Sequence, residues 1–210
     1  MEGVSNGMPF LFVDLETTGH DPLRRVGDAL VPWHEIIDIG AVLVVQSNLR
    51  MMSTFDTKVR PEHPERCIPD IINNYPQRAE AGEWKYATSL QSALEELLAW
   101  IRAHVPSGVV VPGGQNFTFD WSFLTVGFAW AGIPEDTWKT YLHYARLDTR
   151  SMAVQTLWDP GTPYDPGRYS LRTDALPRTI GIAPEPVPHI ALNGARKAYE
   201  VFRRLQELKL

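Results

Sequence analysis

This chain has almost no cysteine: Cys67 is the only one in 210 residues. That excludes an internal disulfide framework and any zinc site built from several cysteines, and it fits a reducing compartment. Long apolar runs are missing too, since no window approaches the roughly 18 residues of a membrane-spanning helix. Met1–Pro9 carries an acid in place of the basic segment of a secretory leader. A soluble, cytoplasmic protein with no membrane partner is the expectation. There is no basic excess: 20 Lys and Arg against 25 Asp and Glu leave a net charge of −5. This argues against a broad electrostatic coat on nucleic acid, though not against a metal-dependent site that must itself be acidic. Repeats and low-complexity segments are also absent. What is present, 44% hydrophobic and 10% aromatic residues, suits one globular domain over residues 1–210 with its core at about 9–208.

The most informative stretch is Phe10-Leu-Phe-Val-Asp-Leu-Glu-Thr-Thr-Gly19, in which an apolar run leads into two carboxylates two residues apart. Alternate side chains of a strand share a face, so Asp14 and Glu16 stand together at the strand's end. A bare pair of this kind is most often two solvated acids on an edge strand. Here the preceding Phe-Leu-Phe-Val marks a buried strand, where paired like charges are costly unless something positive compensates them. The pattern therefore points to a bound cation.

Strands are expected at 9–15, 35–45 and 51–59, forming a meander. Pro61, Pro64, Pro69, Pro76 and Gly82 make 61–87 a loop with short helical turns. An amphipathic helix opens at Thr88 and runs to about His104, with Leu90, Leu94, Leu97, Leu98 and Ile101 on one face. A fourth strand is expected at Val109–Val111, an aromatic helix from Asp120 to about Ala131, and helices over 148–158, 170–180 and 190–208. The fold class is thus α/β, with a sheet that starts antiparallel and gains helix-linked strands. The segment His20–Trp33 is longer than a tight turn needs, and is either a substrate-facing flap or a tolerated insertion.

Two distant pieces join the first motif. Asp120 alone reads as an acid favoured at a helix N-terminus, and His189 alone as a capping or packing residue. Together, Phe12-Val-Asp-Leu-Glu-Thr-Thr-Gly19, Gly114-Gln-Asn-Phe-Thr-Phe-Asp-Trp-Ser-Phe-Leu124 and His189-x-Ala191 resemble, in order and spacing, the motifs of the DEDDh-type 3′→5′ exonucleases. That family includes polymerase proofreading subunits, ribonuclease T and oligoribonucleases. The resemblance implies a ribonuclease-H-like three-layer fold with a mixed central sheet. It implies hydrolysis of terminal phosphodiester bonds at single-stranded 3′ ends of DNA or RNA, with two Mg²⁺ or Mn²⁺ ions clamping the attacking and leaving oxygens. Asp14 would bridge both ions, Glu16 would serve the nucleophile side, Asp120 would hold the other ion, and His189 would act as general base.

The chain departs from the family pattern at one place. The family carries an aspartate five residues after the histidine, where this sequence has Gly194. The expectation is a depleted metal site, in which Gly194→Asp would raise activity at limiting Mg²⁺. Asp148, Asp174 and Glu185 are the other acids within reach of such a site. The alternative is an inactive exonuclease-fold protein that binds nucleic-acid ends or serves as an assembly module. Gln115 is a lesser departure, at a position where many family members have histidine. Candidate substrate contacts are Thr17, Thr18, Gly19, Asn116, Phe117 and Phe119, with Arg146, Arg150, Arg168 and Arg172 as backbone-binding cations. For the aromatics, Trp121, Trp130 and Trp138 included, core packing is the competing role. The last helix either closes the domain or pairs with a second copy in a homodimer.

Overall fold

The computed structural model describes residues 7–69, 73–106, 108–171 and 175–208. Among them the chain runs through β1 (Phe10–Thr17), β2 (Leu23–Val26), β3 (Ala29–Pro32), β4 (Ile36–Val44), β5 (Met51–Lys58), α1 (Tyr75–Glu80), α2 (Leu90–His104) and β6 (Val111–Gly114). It continues through α3 (Thr118–Trp130), α4 (Glu135–Lys139), β7 (Leu147–Asp148), α5 (Thr149–Leu157), α6 (Ala175–Ile180) and α7 (Ala191–Glu207). The sheet order is β5-β4-β1-β6-β7. β5, β4 and β1 form the expected antiparallel meander, while β6 and β7 join in parallel. Helices cover both faces of this mixed sheet, giving the three-layer α/β arrangement that the resemblance implied.

The alternation within β1 decides which side faces what. Phe12 lies opposite Val42, Asp14 opposite Gly40 and Glu16 opposite Asp38, so these pairs share one face. On that face Phe12, Val42 and Val44 pack against Ala195, Ala198 and Phe202 of α7. Leu11, Val13 and Leu15 point the other way, into a core with Leu94 and Leu97 of α2 and Phe123 and Phe128 of α3. β1 is therefore buried on both faces, and its two carboxylates emerge beneath the start of α7. Gly40 makes this approach feasible, because a Cβ there would stand 2.1 Å from the Ala191 backbone.

Several expectations shift by a few residues for identifiable reasons. The fourth strand begins at Val111 and runs through Pro112, Gly113 and Gly114, residue types that ordinarily argue against a strand. Gly113 is required where it stands, since a Cβ would lie 2.7 Å from the Leu147 side chain. Of the expected helix over 170–180, α6 covers Ala175–Ile180, and a 3₁₀ turn at Pro166–Tyr169 precedes that range. Arg172 and Asp174 lie outside the described residues. The segment His20–Trp33 folds as the hairpin β2–β3, with Trp33 held between the guanidinium groups of Arg24 at 4.5 Å and Arg66 at 4.7 Å. Trp138 is buried and Trp121 packs on the core. α7 buries Ala195, Ala198, Val201, Phe202 and Leu205, so its apolar face closes the chain's own sheet. Among the described residues no helix is long and apolar enough to cross a membrane.

Candidate active site

Asp14 and Glu16 stand at the C-terminal end of β1, beside a register shift between Glu16 and Thr17. Asp120 comes from the first turn of α3, and its Oδ1 accepts the Leu15 backbone N–H at 3.0 Å, which ties that helix to the strand between the two acids. Asn116 holds a left-handed backbone (φ 57°), a conformation asparagine tolerates, and this lets the chain turn from β6 into α3. His189 lies in the loop before α7, with its Nδ1 3.6 Å from Oε2 of Glu185. Asp14, Glu16, Asp120, Glu185 and His189 all line one cavity of about 690 Å³.

The electrostatics of this cavity call for a cation. Burial pushes Asp14 well above the usual carboxylate range, reinforced by Asp120, Glu16, Glu185 and Asp38. Burial likewise raises Asp120 to about 8, against the opposing Leu15 N–H, and Glu16 to about 7, against a hydrogen bond from Asn73. Glu185 is pushed up to about 7, again by burial, which Lys197 partly offsets. Oε1 of Glu185 is buried without a hydrogen-bond partner, which is costly unless something else occupies it. An oxygen-only donor set of this kind suits a hard divalent cation. Among the described residues no three His, Cys, Asp or Glu side chains stand close enough together to enclose an ion as placed. The acids line the cavity without converging on one point.

Of the substrate-contact candidates, Thr17, Asn116 and Phe119 line the cavity. Three others do not. Thr18 is fully buried, with its Oγ1 accepting the Glu35 N–H at 2.9 Å. Gly19 packs under His34, where a Cβ would meet the ring at 2.4 Å. Phe117 is 1% exposed and belongs to the core. These residues hold the loops in place. Arg150 lines the cavity, whereas Arg146 stacks on Trp121 at 4.9 Å along a different cavity, and Arg168 is exposed and not among the cavity's lining residues. Gln115 braces the second motif, donating to the Tyr169 carbonyl at 3.0 Å and accepting from Thr149 Oγ1 at 2.5 Å.

The sequence reading missed His20 and Asn73, which also line the cavity, and Arg78. The Arg78 guanidinium grips Glu83 and donates to the carbonyls of Asn73 at 2.9 Å and His189 at 3.0 Å. It thereby ties the α1 segment to the histidine loop. Asn73 and Arg78 sit in the proline-punctuated stretch, where no periodicity could have marked them.

Gly194 bears on one sequence-based expectation. It lies one helical turn into α7 directly over Asp14, and a Cβ at 194 would stand 2.3 Å from Asp14 Oδ2. An aspartate there has no room unless Asp14 moves. The atoms it would meet are only the end of the Asp14 side chain, which can swing aside, so Gly194→Asp is still expected to raise metal-dependent turnover at limiting Mg²⁺ by supplying a further carboxylate. Comparing initial rates of the purified variant and wild type across a Mg²⁺ series checks this.

The family profile described as Exonuclease matches residues 11–118. An oligoribonuclease of Shewanella loihica (strain ATCC BAA-1088 / PV-4) is 26% identical over 147 residues, covering 68% of this chain and 71% of that protein. Among solved structures, the nuclease domain of 3′hExo, a DEDDh family member bound to rAMP, superposes with a TM-score of 0.66 at 18% identity, covering 97% of this chain and 94% of that one. E. coli exonuclease I in complex with a dT13 oligonucleotide gives 0.67 at 17% identity, covering 95% of this chain and 41% of that one. These structural likenesses confirm the ribonuclease-H-like exonuclease fold.

Proposed function

Because the chain belongs to the exonuclease family whose profile spans residues 11–118, we propose that it is a 3′→5′ exonuclease acting on single-stranded nucleic acid with Mg²⁺ or Mn²⁺. The observation that carries this reading is the convergence of Asp14, Glu16, Asp120 and His189, from three separate parts of the fold, on one acidic cavity. Divalent ions bound there would polarise the scissile phosphate and make a water nucleophilic near neutral pH. Asp14, Glu16 and Asp120 would hold those ions, and their raised affinity for protons in the cation-free state is the counterpart of that task. His189 accepts the proton of the attacking water, a role suited to a group that titrates at about 6.5 when unperturbed. The Arg78 hydrogen bond to its carbonyl fixes the loop from which it acts. Phe119 offers a ring for the terminal base to stack on, and Thr17 and Asn116 offer polar contacts to the terminal nucleotide.

A second reading, a catalytically retired relative that still binds nucleic-acid ends, is favoured by Gly194 alone. A degradation assay separates the two. Single-stranded DNA and RNA oligomers, labelled at the 3′ or 5′ end, are incubated with Mg²⁺, Mn²⁺ or a chelator. A working exonuclease shortens the 5′-labelled strand stepwise and releases the 3′ label as mononucleotide, only with metal, and the better-used strand identifies the sugar. Intact oligomers at high enzyme and metal concentrations would replace this reading with the retired one.

A further inference from the structure

Among the described residues, Glu185 is the one acid of this cavity that the family's motifs do not account for. It sits in the irregular segment between α6 and α7, four residues before His189. Its side chain is only 6% exposed, it lines the cavity together with Asp14, Glu16 and Asp120, and its Oε1 has no hydrogen-bond partner. A buried carboxylate oxygen without a donor is costly in any fold. Oε2 is turned toward His189 Nδ1 at 3.6 Å.

The other sources of a fourth carboxylate do not fit. Position 194 carries no side chain, and the Asp14 carboxylate occupies the space over it. Asp148 is already used on both oxygens, by the N–H of Phe117 at 2.6 Å and of Ser151 at 2.7 Å, where it caps α5. Asp38 binds Lys58 and the N–H of Ala191 at the start of α7 through Oδ2, and although its Oδ1 is unpartnered it does not line the cavity. Among the described residues, Glu185 is the carboxylate outside the family's motifs that both lines the cavity and has an unpartnered buried oxygen.

We propose that Glu185 is a metal ligand that replaces the carboxylate missing at position 194, supplying the negative charge for the second divalent ion from the loop ahead of His189 rather than from α7. The proposal rests on the exonuclease reading above. On this view Gly194 and Glu185 form one rearrangement: removing a side chain from the helix lets Asp14 pack beneath it, and the carboxylate enters from the opposite side of the histidine. The site then holds four acids, and its metal complement is undiminished.

Mn²⁺ binding tests this directly, read by the loss of the free-ion paramagnetic resonance signal and by calorimetry on the full chain, without substrate. Wild type should take up two Mn²⁺ per chain. Glu185→Gln, isosteric but uncharged, should bind one ion normally and the second at least about tenfold more weakly. Its Mg²⁺ requirement in the oligomer assay should rise in parallel. Thermal melting establishes that the variant is folded, and Glu185→Ala carries the test if the glutamine variant is not. Unaltered Mn²⁺ binding in a folded Glu185 variant would overturn the proposal. A displaced pH–rate profile alongside unaltered binding would assign Glu185 to orienting His189 alone, and would overturn it equally. Absence of any Mn²⁺ binding by wild type would instead remove the exonuclease reading on which the proposal stands.

Discussion

Replacing Asp14 by asparagine should abolish metal-dependent hydrolysis while making the metal-free protein more stable. Both effects come from one placement. Asp14 lies at the end of a strand buried on both faces, under Gly194 and among Asp120, Glu16 and Glu185. Burial and four like charges hold its carboxyl well above the usual range, so its ionised form strains the fold until a cation arrives. Asparagine keeps the volume and removes the charge. Ion binding contributes several kcal/mol to transition-state stabilisation in hydrolases of this type, so losing the central ligand should cost about 10³-fold or more in rate. At pH 8 without metal, the melting temperature of Asp14→Asn should exceed that of wild type. Activity assays on labelled oligomers and paired thermal melts check the two halves. Retained hydrolysis would place the chemistry elsewhere, and a lower melting temperature would mean that the charge is already compensated within the protein.

Without metal, wild type should lose stability as the pH rises from 5 to 8, and Mg²⁺ or Mn²⁺ should restore it at pH 8 but hardly at pH 5. Glu16 moves from 4.5 to about 7 on folding, Asp120 from 3.8 to about 8, and Glu185 from 4.5 to about 7. The folded state therefore holds more protons than the unfolded chain between about pH 4 and pH 8. Stability from these groups is complete below the unfolded values and declines as the pH rises through the folded ones. A pKa difference of one corresponds to about 1.4 kcal/mol, so Glu16 alone contributes roughly 3 kcal/mol across that window. For a chain of this size, each kcal/mol moves the melting temperature by roughly 2–4 °C. Carboxyls held below their usual range, such as Glu83 on Arg78, act in the opposite direction but only below that window, which is why the comparison starts at pH 5. A melting temperature that is flat with pH and indifferent to Mg²⁺ would show that the cavity acids are not cation ligands.

Much of the site could be read directly from the residues. The apolar run ahead of Asp14 and Glu16 marked a buried strand with two acids on one face, and β1 and its register bear this out. Asp120 at the opening of α3 and His189 before α7 were located by motif order, and both reach the same cavity. The less legible parts are equally specific. Val111–Gly114 is a strand despite Pro112 and two glycines, because tertiary packing against Leu147 and pairing with β1 outweigh local propensity. Thr18, Gly19 and Phe117 looked like substrate contacts because they adjoin the acids in sequence, yet they point into the interior. Adjacency along a chain carries no information about which way a loop residue turns.

Local order along the chain determined the α/β class and the two-acid strand, because period-two alternation and helix-start chemistry are encoded within a few neighbouring residues, whereas Asp120 and His189 were placed by the resemblance in motif order. Tertiary structure alone decided what became of the fourth carboxylate. The closeness of α7 to β4 and β1 depends on Gly40 and Gly194, residues separated by most of the chain, and only their contact distances show that a side chain at 194 would need the Asp14 carboxylate to move. The same packing buries Glu185 with one oxygen unpartnered beside His189. Such a contact has no sequence signal, because it depends on where a loop without periodicity is laid down once the sheet and its last helix have closed.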